Sequence, residues 1–205
     1  MHPMEVEEFI NDVASISRTS HVNVVALSGF AYMLKKRALI SEFIPNESLE
    51  RYIHGEDESM AKTNGHLGWG KLYQIAFKIE RGLEYLQRRC SMRILHFDIK
   101  PHSILLDEDF CPKISDFDMA KLCTRKESVA SMLEASGTIG YIAPEVISRN
   151  FGGISHKSNV YIYRTILLEI VGGRKNISVA VTYASKIHFL HWVYQHMVLD
   201  KDLKL

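Results

Sequence analysis

Apolar residues recur every three or four positions in four stretches of the chain, and this spacing is typical of amphipathic helices. The first stretch runs from Val6 to Ile16, which corresponds to a helix of about four turns. Gly172 and Gly173 follow the third stretch and predict its end, because glycine readily adopts the left-handed conformation that stops a helix. The four predicted helices cover residues 6–16, 72–86, 155–171 and 188–197.

Short apolar runs lie between the predicted helices. The runs at 24–27 and 38–43 predict two strands joined by a turn at 35–37. Polar residues and glycines at 56–70 predict a loop. Three later apolar runs, at 94–95, 104–106 and 113–115, are separated by loops, and the acidic segment 107–109 is typical of a hairpin turn.

Composition and charge exclude several classes of protein. Among 205 residues, 46% are hydrophobic and 24% are charged, which is ordinary for a globular domain. The 25 Lys and Arg residues nearly balance the 24 Asp and Glu residues, and the net charge is +1. A chain so close to neutrality has no bulk electrostatic attraction to nucleic acid or to an anionic membrane. We therefore expect no nucleic-acid partner.

The sequence predicts neither a signal peptide nor a transmembrane segment. The first residues are acidic, and the most apolar stretch, 160–171, is too short to span a bilayer and contains Arg164 and Glu169. Cys90, Cys111 and Cys123 form neither a CxxC pair nor an even disulfide set, which favours a reducing compartment. We expect a soluble chain on the cytoplasmic side.

Three polar clusters lie between the apolar elements, and chemistry is most expected there. They are HFDIKPHS at 96–103, DFD at 116–118 and APE at 143–145. An isolated aspartate in a loop is usually a turn or capping residue, so each cluster alone is a weak signal. The three clusters in this order, each at the end of an apolar element, are a strong one.

Four sequence stretches carry a resemblance to a known family: ILHFDIKP at 94–101, PKISDF at 112–117, GTIGYIAPE at 137–145 and RNFGGI at 149–154. Through them the chain resembles the eukaryotic protein kinases, and more narrowly the plant receptor-like serine/threonine kinases of the rust-resistance type. The likeness covers roughly residues 5–200. It implies an α+β, kinase-like fold, with a remnant of the small lobe and the hinge in 1–44 and most of the helical large lobe in 45–205.

The resemblance also implies catalytic and metal-binding residues. Asp98 matches the carboxylate that accepts or orients the substrate hydroxyl, and Lys100 matches the residue that steadies the transferring phosphate. Asp116 matches the ligand of Mg²⁺, and Ser103 stands at the second metal position. ATP and Mg²⁺ are the implied cofactors, and a protein substrate or partner is implied as well.

A second group of residues is implied at the adenine site. Ser41 falls at the gatekeeper position, and Glu42 and Ile44 fall in the hinge, whose backbone groups would meet adenine. Leu105 is placed at the same site by the resemblance. The activation segment contains four candidate phosphorylation sites, each with ordinary surface polarity as the alternative: Ser128, Ser131, Ser136 and Thr138.

Several positions near the nucleotide site depart from the family pattern. No Gly-rich phosphate loop and no strand lysine precede the first helix, and the glycines of 65–70 lie in a predicted loop instead. Asp12 stands where the family has a glutamate, Ser103 replaces an asparagine, and Asp118 replaces a glycine. Because a serine hydroxyl is a poorer ligand for a hard cation than an amide carbonyl, we expect weakened metal binding.

Further departures lie in the later part of the chain. Asn159 replaces an aspartate that accepts hydrogen bonds from the catalytic-loop backbone. We expect this change to destabilise the loop locally by about 1–3 kcal/mol. Arg164 replaces a glycine at a tight helix contact, so its cation must reach solvent. The family's last two helices are missing from this sequence, and Glu145 is expected to lack its arginine partner.

These observations leave three functions open: a catalytically impaired serine/threonine kinase, a pseudokinase binding module, and a truncated product with no stable fold. Losing one preorganised charge-stabilising group raises the activation barrier by about 2.7–4 kcal/mol. We therefore expect phosphoryl transfer roughly a thousandfold slower than usual. A two-stranded remnant with one helix covers little apolar surface, so exposed apolar residues are predicted around 6–13 and 24–27.

Overall fold

A computed structural model gives the architecture of the chain. It describes residues 13, 16–17, 19–33, 36–53, 67–90, 93–117, 120–123, 138, 140–143 and 156–173. Within these residues, three two-stranded antiparallel sheets surround helices that share one apolar core. The mixture confirms the predicted α+β class. The predicted helix at 188–197 and most of the predicted helix at 6–16 lie outside the described residues.

The first sheet is a hairpin of β1, Leu27–Met33, and β2, Lys36–Ser41. Phe30 lies opposite Leu39, and a register shift between Leu27 and Gly29 marks a bulge. Strand β1 therefore begins where the predicted strand at 24–27 ends. Val24 and Val25 pair elsewhere, since Val24 forms a parallel bridge with Ile114 and the Val25 N–H donates to the Ile114 carbonyl over 2.9 Å.

Helix α1, Glu50–Ile53, and helix α2, Trp69–Glu84, follow the hairpin. A π-helical turn, Tyr85–Arg89, extends α2. The predicted apolar stripe of α2 is confirmed, because its repeating residues are buried in the core: Leu72, Ile75, Ala76, Ile79, Leu83 and Leu86. Gly82 allows a close approach, since a Cβ there would lie 2.8 Å from the Asn23 carbonyl oxygen.

Short strands and a long helix complete the described fold. Strands β3, Arg93–Leu95, and β6, Lys121–Cys123, pair antiparallel. Strands β4, Ile104–Leu106, and β5, Pro112–Ile114, form the hairpin predicted from the acidic turn. Helix α3, His156–Gly172, ends as predicted, with Gly173 in the left-handed conformation at φ 61°. No helix among the described residues is long and apolar enough to cross a membrane.

The prediction of exposed apolar residues around 6–13 and 24–27 is wrong at Val13, Val24 and Val25, but Ala26 and the nearby Val22 are exposed. Val13, Val24 and Val25 are buried, and Leu27 packs against the core. The reason is that residues 23–25 run beside β5, so their side chains are covered by the core around Ile114. The division of the chain at residue 44 stays a prediction.

Candidate functional site

The loop from His96 to Ser103, called here the Asp98 loop, follows β3 and ends in the 3-10 turn Pro101–Ser103. Phe97 has a φ of 61°, a left-handed conformation that residues other than glycine rarely adopt, and its side chain is buried. The Asp98 N–H donates to the His96 carbonyl over 2.8 Å and closes this tight turn. The backbone thus reverses directly before the aspartate.

Ser103 fixes the other end of the Asp98 loop. Its hydroxyl oxygen accepts from the Lys100 N–H over 2.9 Å and lies 3.0 Å from the Lys100 carbonyl and 3.2 Å from the Asp98 carbonyl. The Ser103 N–H in turn donates to the Lys100 carbonyl over 2.9 Å. The side chain is buried, and the hydroxyl at the predicted second metal position is already engaged by these backbone groups.

Asp98, Lys100 and Thr138 form a closely bonded polar cluster. The Lys100 ammonium lies 2.7 Å from Asp98 Oδ2 and 2.9 Å from the Thr138 hydroxyl. The Thr138 N–H donates to Asp98 Oδ1 over 3.0 Å, and its hydroxyl bonds the same oxygen. Burial acts to raise the pKa of Asp98, but the hydrogen bonds from Lys100 and Thr138 and the charge of Lys100 hold this pKa below its ordinary value. The carboxylate is therefore charged at neutral pH.

His96 lies beneath this cluster as a buried imidazole. Its Nε2 lies 2.8 Å from the Ser115 carbonyl oxygen, and its ring centroid is 4.8 Å from that of Phe117. Burial lowers the pKa of His96, although Asp116 and Asp98 both act in the opposite direction through their negative charge. The ring is therefore neutral, with Nε2–H as donor. Both carboxylates are close enough to influence it electrostatically.

Asp116 reaches solvent from a strained backbone position. It directly follows Ser115, whose N–H donates to the Ser103 carbonyl over 2.9 Å. Its φ of 67° is left-handed, its side chain is exposed, and the next residue, Phe117, is buried. The alternation directs the carboxylate away from the core. Asp118 lies outside the described residues, as do Asp12 and Glu145.

The predicted adenine residues lie at two neighbouring edges of the fold. Ser41 ends β2 and is exposed, whereas Glu42 and Ile44 are half-buried. Leu105, also half-buried, lies in β4, next to Ser48, with which it forms a bridge. Burial acts to raise the pKa of Glu42, but hydrogen bonds from Lys113 and the Ala26 N–H leave this pKa below its ordinary value.

Helix α3 contains the two later departures. Asn159 is fully buried, and neither its Oδ1 nor its Nδ2 has a hydrogen-bond partner within the part of the chain that the structure describes. Arg164 is exposed, as expected for a long cation that replaces a glycine. Glu169 is buried and accepts a 2.6 Å hydrogen bond from the Tyr141 hydroxyl. Burial and the charge of Glu169 raise the pKa of Tyr141, so Tyr141 remains a donor.

Two contacts of the site were not predicted from the sequence. The bond of Thr138 to Asp98 spans 40 residues, and the ion pair of Glu42 with Lys113 spans 71. The sequence identifies Thr138 only as a phosphorylation candidate and places Lys113 in a short apolar run. Neither residue type carries a local signal that identifies its partner.

Comparisons with known proteins identify a family and related chains. A family described as protein tyrosine and serine/threonine kinase matches residues 1–201. The chain is 55% identical to the PR5-like receptor kinase of Arabidopsis thaliana, over 92% of this chain and 28% of that protein. It is 48% identical to the rust resistance kinase Lr10 of Triticum aestivum, over 98% of this chain and 31% of that protein. The chain therefore spans less than a third of the length of these relatives.

Proposed function

Since the chain belongs to the protein tyrosine and serine/threonine kinase family, we propose that it binds ATP with Mg²⁺ and transfers phosphate slowly to serine or threonine of a protein. The observation that supports this most is the cluster of Asp98, Lys100 and Thr138, held together by bonds of 2.7–3.0 Å. In the proposed reaction, Asp98 accepts or orients the substrate hydroxyl, and Lys100 steadies the transferring phosphate.

The metal is the weaker part of the proposed site. Asp116 offers one exposed carboxylate, a suitable oxygen ligand, and Mg²⁺ commonly completes its coordination with nucleotide phosphates and water. No group of three or more His, Cys, Asp or Glu residues that could hold a metal occurs within the described ranges. Bound Mg²⁺ would neutralise charge on the phosphates. Ser103 fits poorly as a second ligand, because its hydroxyl is buried and bonded within the loop.

The predicted adenine contacts are retained in the proposal. Glu42 and Ile44 would present backbone groups to the base, Leu105 would pack beneath it, and Ser41 would border it. Impaired catalysis is proposed on two grounds. Ser103 replaces the family's second metal ligand, and Asn159 replaces a family carboxylate and has no described hydrogen-bond partner for its amide.

A phosphoryl-transfer assay tests this function with the whole chain. We expect incorporation of labelled phosphate from ATP into a serine- or threonine-containing protein at well below the 1–100 per second typical of kinases. Asp98→Asn should abolish the incorporation, and Ser103→Asn should raise it about tenfold by restoring an amide ligand. Transfer at typical kinase rates, or transfer that survives Asp98→Asn, would overturn the proposal.

The second candidate is a binding module in receptor-kinase signalling, without catalysis. It is favoured by the buried hydroxyl of Ser103 and by the amide of Asn159, for which the described residues supply no hydrogen-bond partner. Both features weaken the machinery expected of an active enzyme. Thermal unfolding with and without Mg²⁺ and ADP separates the two candidates. A ligand that binds only the folded state raises the melting temperature. A rise supports nucleotide binding, and its absence supports the binding module.

A further inference from the structure

A single carboxylate oxygen connects three separate segments of the chain. Oε1 of Glu42, directly after β2, accepts hydrogen bonds from the Ala26 N–H and from the Lys113 ammonium, both over 2.9 Å. The Glu42 N–H donates back to the Ala26 carbonyl over 3.0 Å. The segment before β1, the residue after β2 and strand β5 therefore meet at this side chain.

The backbone around Lys113 is bonded to the same segment from the other side. Asn23 Nδ2 donates to the Pro112 carbonyl over 3.0 Å, and the Ile114 N–H donates to the Asn23 carbonyl over 3.0 Å. The Val25 N–H donates to the Ile114 carbonyl over 2.9 Å. Lys113 thus lies between two residues whose backbone is fixed, and only its side chain is left to join Glu42.

The environment makes this ion pair different from an ordinary surface pair. The side chains of Lys113 and Glu42 are 18% and 33% exposed, whereas those of Arg51 and Glu47 are 39% and 62% exposed. Partial burial strengthens a Coulomb interaction by lowering the local dielectric. The Arg51–Glu47 pair also joins residues only 4 positions apart in the sequence, whereas Glu42 and Lys113 are 71 residues apart. Breaking the second pair therefore releases long-range structure.

The position of the pair gives it a consequence for the candidate site. Glu42 belongs to the predicted hinge, and Lys113 stands three residues before Asp116. Ser115 lies between Lys113 and Asp116 in the sequence. Its N–H and its hydroxyl both donate to the carbonyl of Ser103 in the Asp98 loop. A displacement of β5 is therefore transmitted to both Asp116 and the Asp98 loop.

We propose that Glu42 and Lys113 form a latch, defined as the ion pair together with its bond to Ala26, that couples the residues after β2 to the position of Asp116. Closed, the latch holds the β1–β2 hairpin against strand β5. Neutralising either side chain opens it, which loosens Ala26, the residues after β2 and the backbone from 113 to 116, while the bonds of Asn23 and Val25 to β5 remain. The latch goes beyond phosphoryl transfer, since it requires neither nucleotide nor substrate.

Amide hydrogen exchange of the whole chain, without nucleotide, tests the latch. Lys113→Met removes the cation and keeps the aliphatic stem. We expect it to speed exchange roughly fivefold at Ala26 and at 113–116, with no change at the buried amides of α2. Arg51→Met, which breaks the exposed pair, is the matched control and should leave all of these amides unchanged.

A charge-exchanged variant keeps the test independent of overall stability. Glu42→Lys combined with Lys113→Glu restores an ion pair of opposite polarity but provides no acceptor for the Ala26 N–H. It should therefore recover most of the protection at 113–116 that Lys113→Met loses, and none at Ala26. The latch is overturned if exchange is unchanged in Lys113→Met, or if it rises equally in α2. It is also overturned if the double variant exchanges no more slowly at 113–116 than the single one. Because no nucleotide is present, these outcomes are distinct from failure of the proposed kinase activity.

Discussion

The Asp98 loop and helix α3 both bury polar side chains, but they satisfy them very differently. In the loop, the Ser103 hydroxyl and the Asp98 carboxylate each contact several donors or acceptors. In α3, the Asn159 amide is equally buried, and neither of its polar atoms has a partner among the described residues. A buried polar group without a hydrogen bond costs about 1–3 kcal/mol, so Asn159 is expected to lower stability where Ser103 adds to it.

The contrast teaches where substitution is tolerated in this chain. Both Ser103 and Asn159 stand at positions where the family resemblance implies a different residue. Serine at 103 remains useful, because a short hydroxyl can bond the backbone of its own turn. Asparagine at 159 depends on groups from other segments, and the described structure supplies none to it. A replacement that needs only local partners preserves order, whereas one that needs distant partners leaves a defect.

The largest expected effect comes from removing the loop's hydroxyl. Ser103→Ala removes the acceptor of the Lys100 N–H and the hydroxyl contact of the Asp98 carbonyl, while the Lys100 carbonyl keeps the Ser103 N–H, and it should reduce the free energy of unfolding by about 2 kcal/mol. Ser115→Ala is the matched control, since its half-buried hydroxyl makes one bond, to the Ser103 carbonyl over 3.0 Å, and its removal should cost at most about 1 kcal/mol. Urea unfolding measures both. Equal losses in the two variants would contradict the loop half of the comparison.

Much of the fold could be predicted from the sequence, because its signals are local. The stripe from Leu72 to Leu86 has helical spacing, and Gly173 follows the last apolar residues of α3; both predictions are confirmed. The burial of Val24 could not be predicted in this way. It depends on pairing with Ile114, about ninety residues later, and a short apolar run carries no information about so distant a neighbour.

The candidate site was predictable in its composition but not in its connections. The clusters at 96–103 and 116–118 marked Asp98 and Asp116, and the structure brings both near His96. The partner of Asp98 could not be identified, because a threonine 40 residues away has no sequence feature that distinguishes it from Ser128, Ser131 or Ser136. The same limit applied to Asn159: its identity predicted a weakened bond, and its missing partner became visible only in the packed helix.

A smaller effect, of opposite sign, is expected in α3. Asn159→Leu replaces the unpartnered amide with an apolar group of similar size, and it should raise the free energy of unfolding by about 1 kcal/mol. Thr165→Val is the control. Thr165 is also fully buried, but its hydroxyl donates to the Tyr161 carbonyl of its own helix over 3.1 Å, so no stabilisation is expected. Urea unfolding again decides. Destabilisation by Asn159→Leu would show that the amide has a partner, and the contrast between the regions would disappear.

One buried polar atom of the Asp98 loop is not satisfied: Nδ1 of His96 lacks a hydrogen-bond partner among the described residues. The last prediction concerns this imidazole. Burial lowers the pKa of His96 in the folded chain, whereas the unfolded chain binds a proton near pH 6.5. Below that pH the unfolded state binds more protons, so stability should fall as pH decreases, by about 1 kcal/mol between pH 6.5 and 5.5.

The carboxyl groups of Asp98 and Glu42 contribute little to this window. Their pKa values are lowered in the folded chain, and the stability they provide is lost mainly where unfolded carboxyl groups take up protons, at about pH 4. His96→Leu should therefore flatten the dependence between pH 6.5 and 5.5, whatever it does to stability at pH 7. His21→Gln is the control. Burial lowers the pKa of His21 too, but that side chain is only partly covered, so most of the slope should remain. A slope that persists in His96→Leu would mean that the buried imidazole accepts a proton without loss of stability, and that its unpartnered nitrogen carries no penalty.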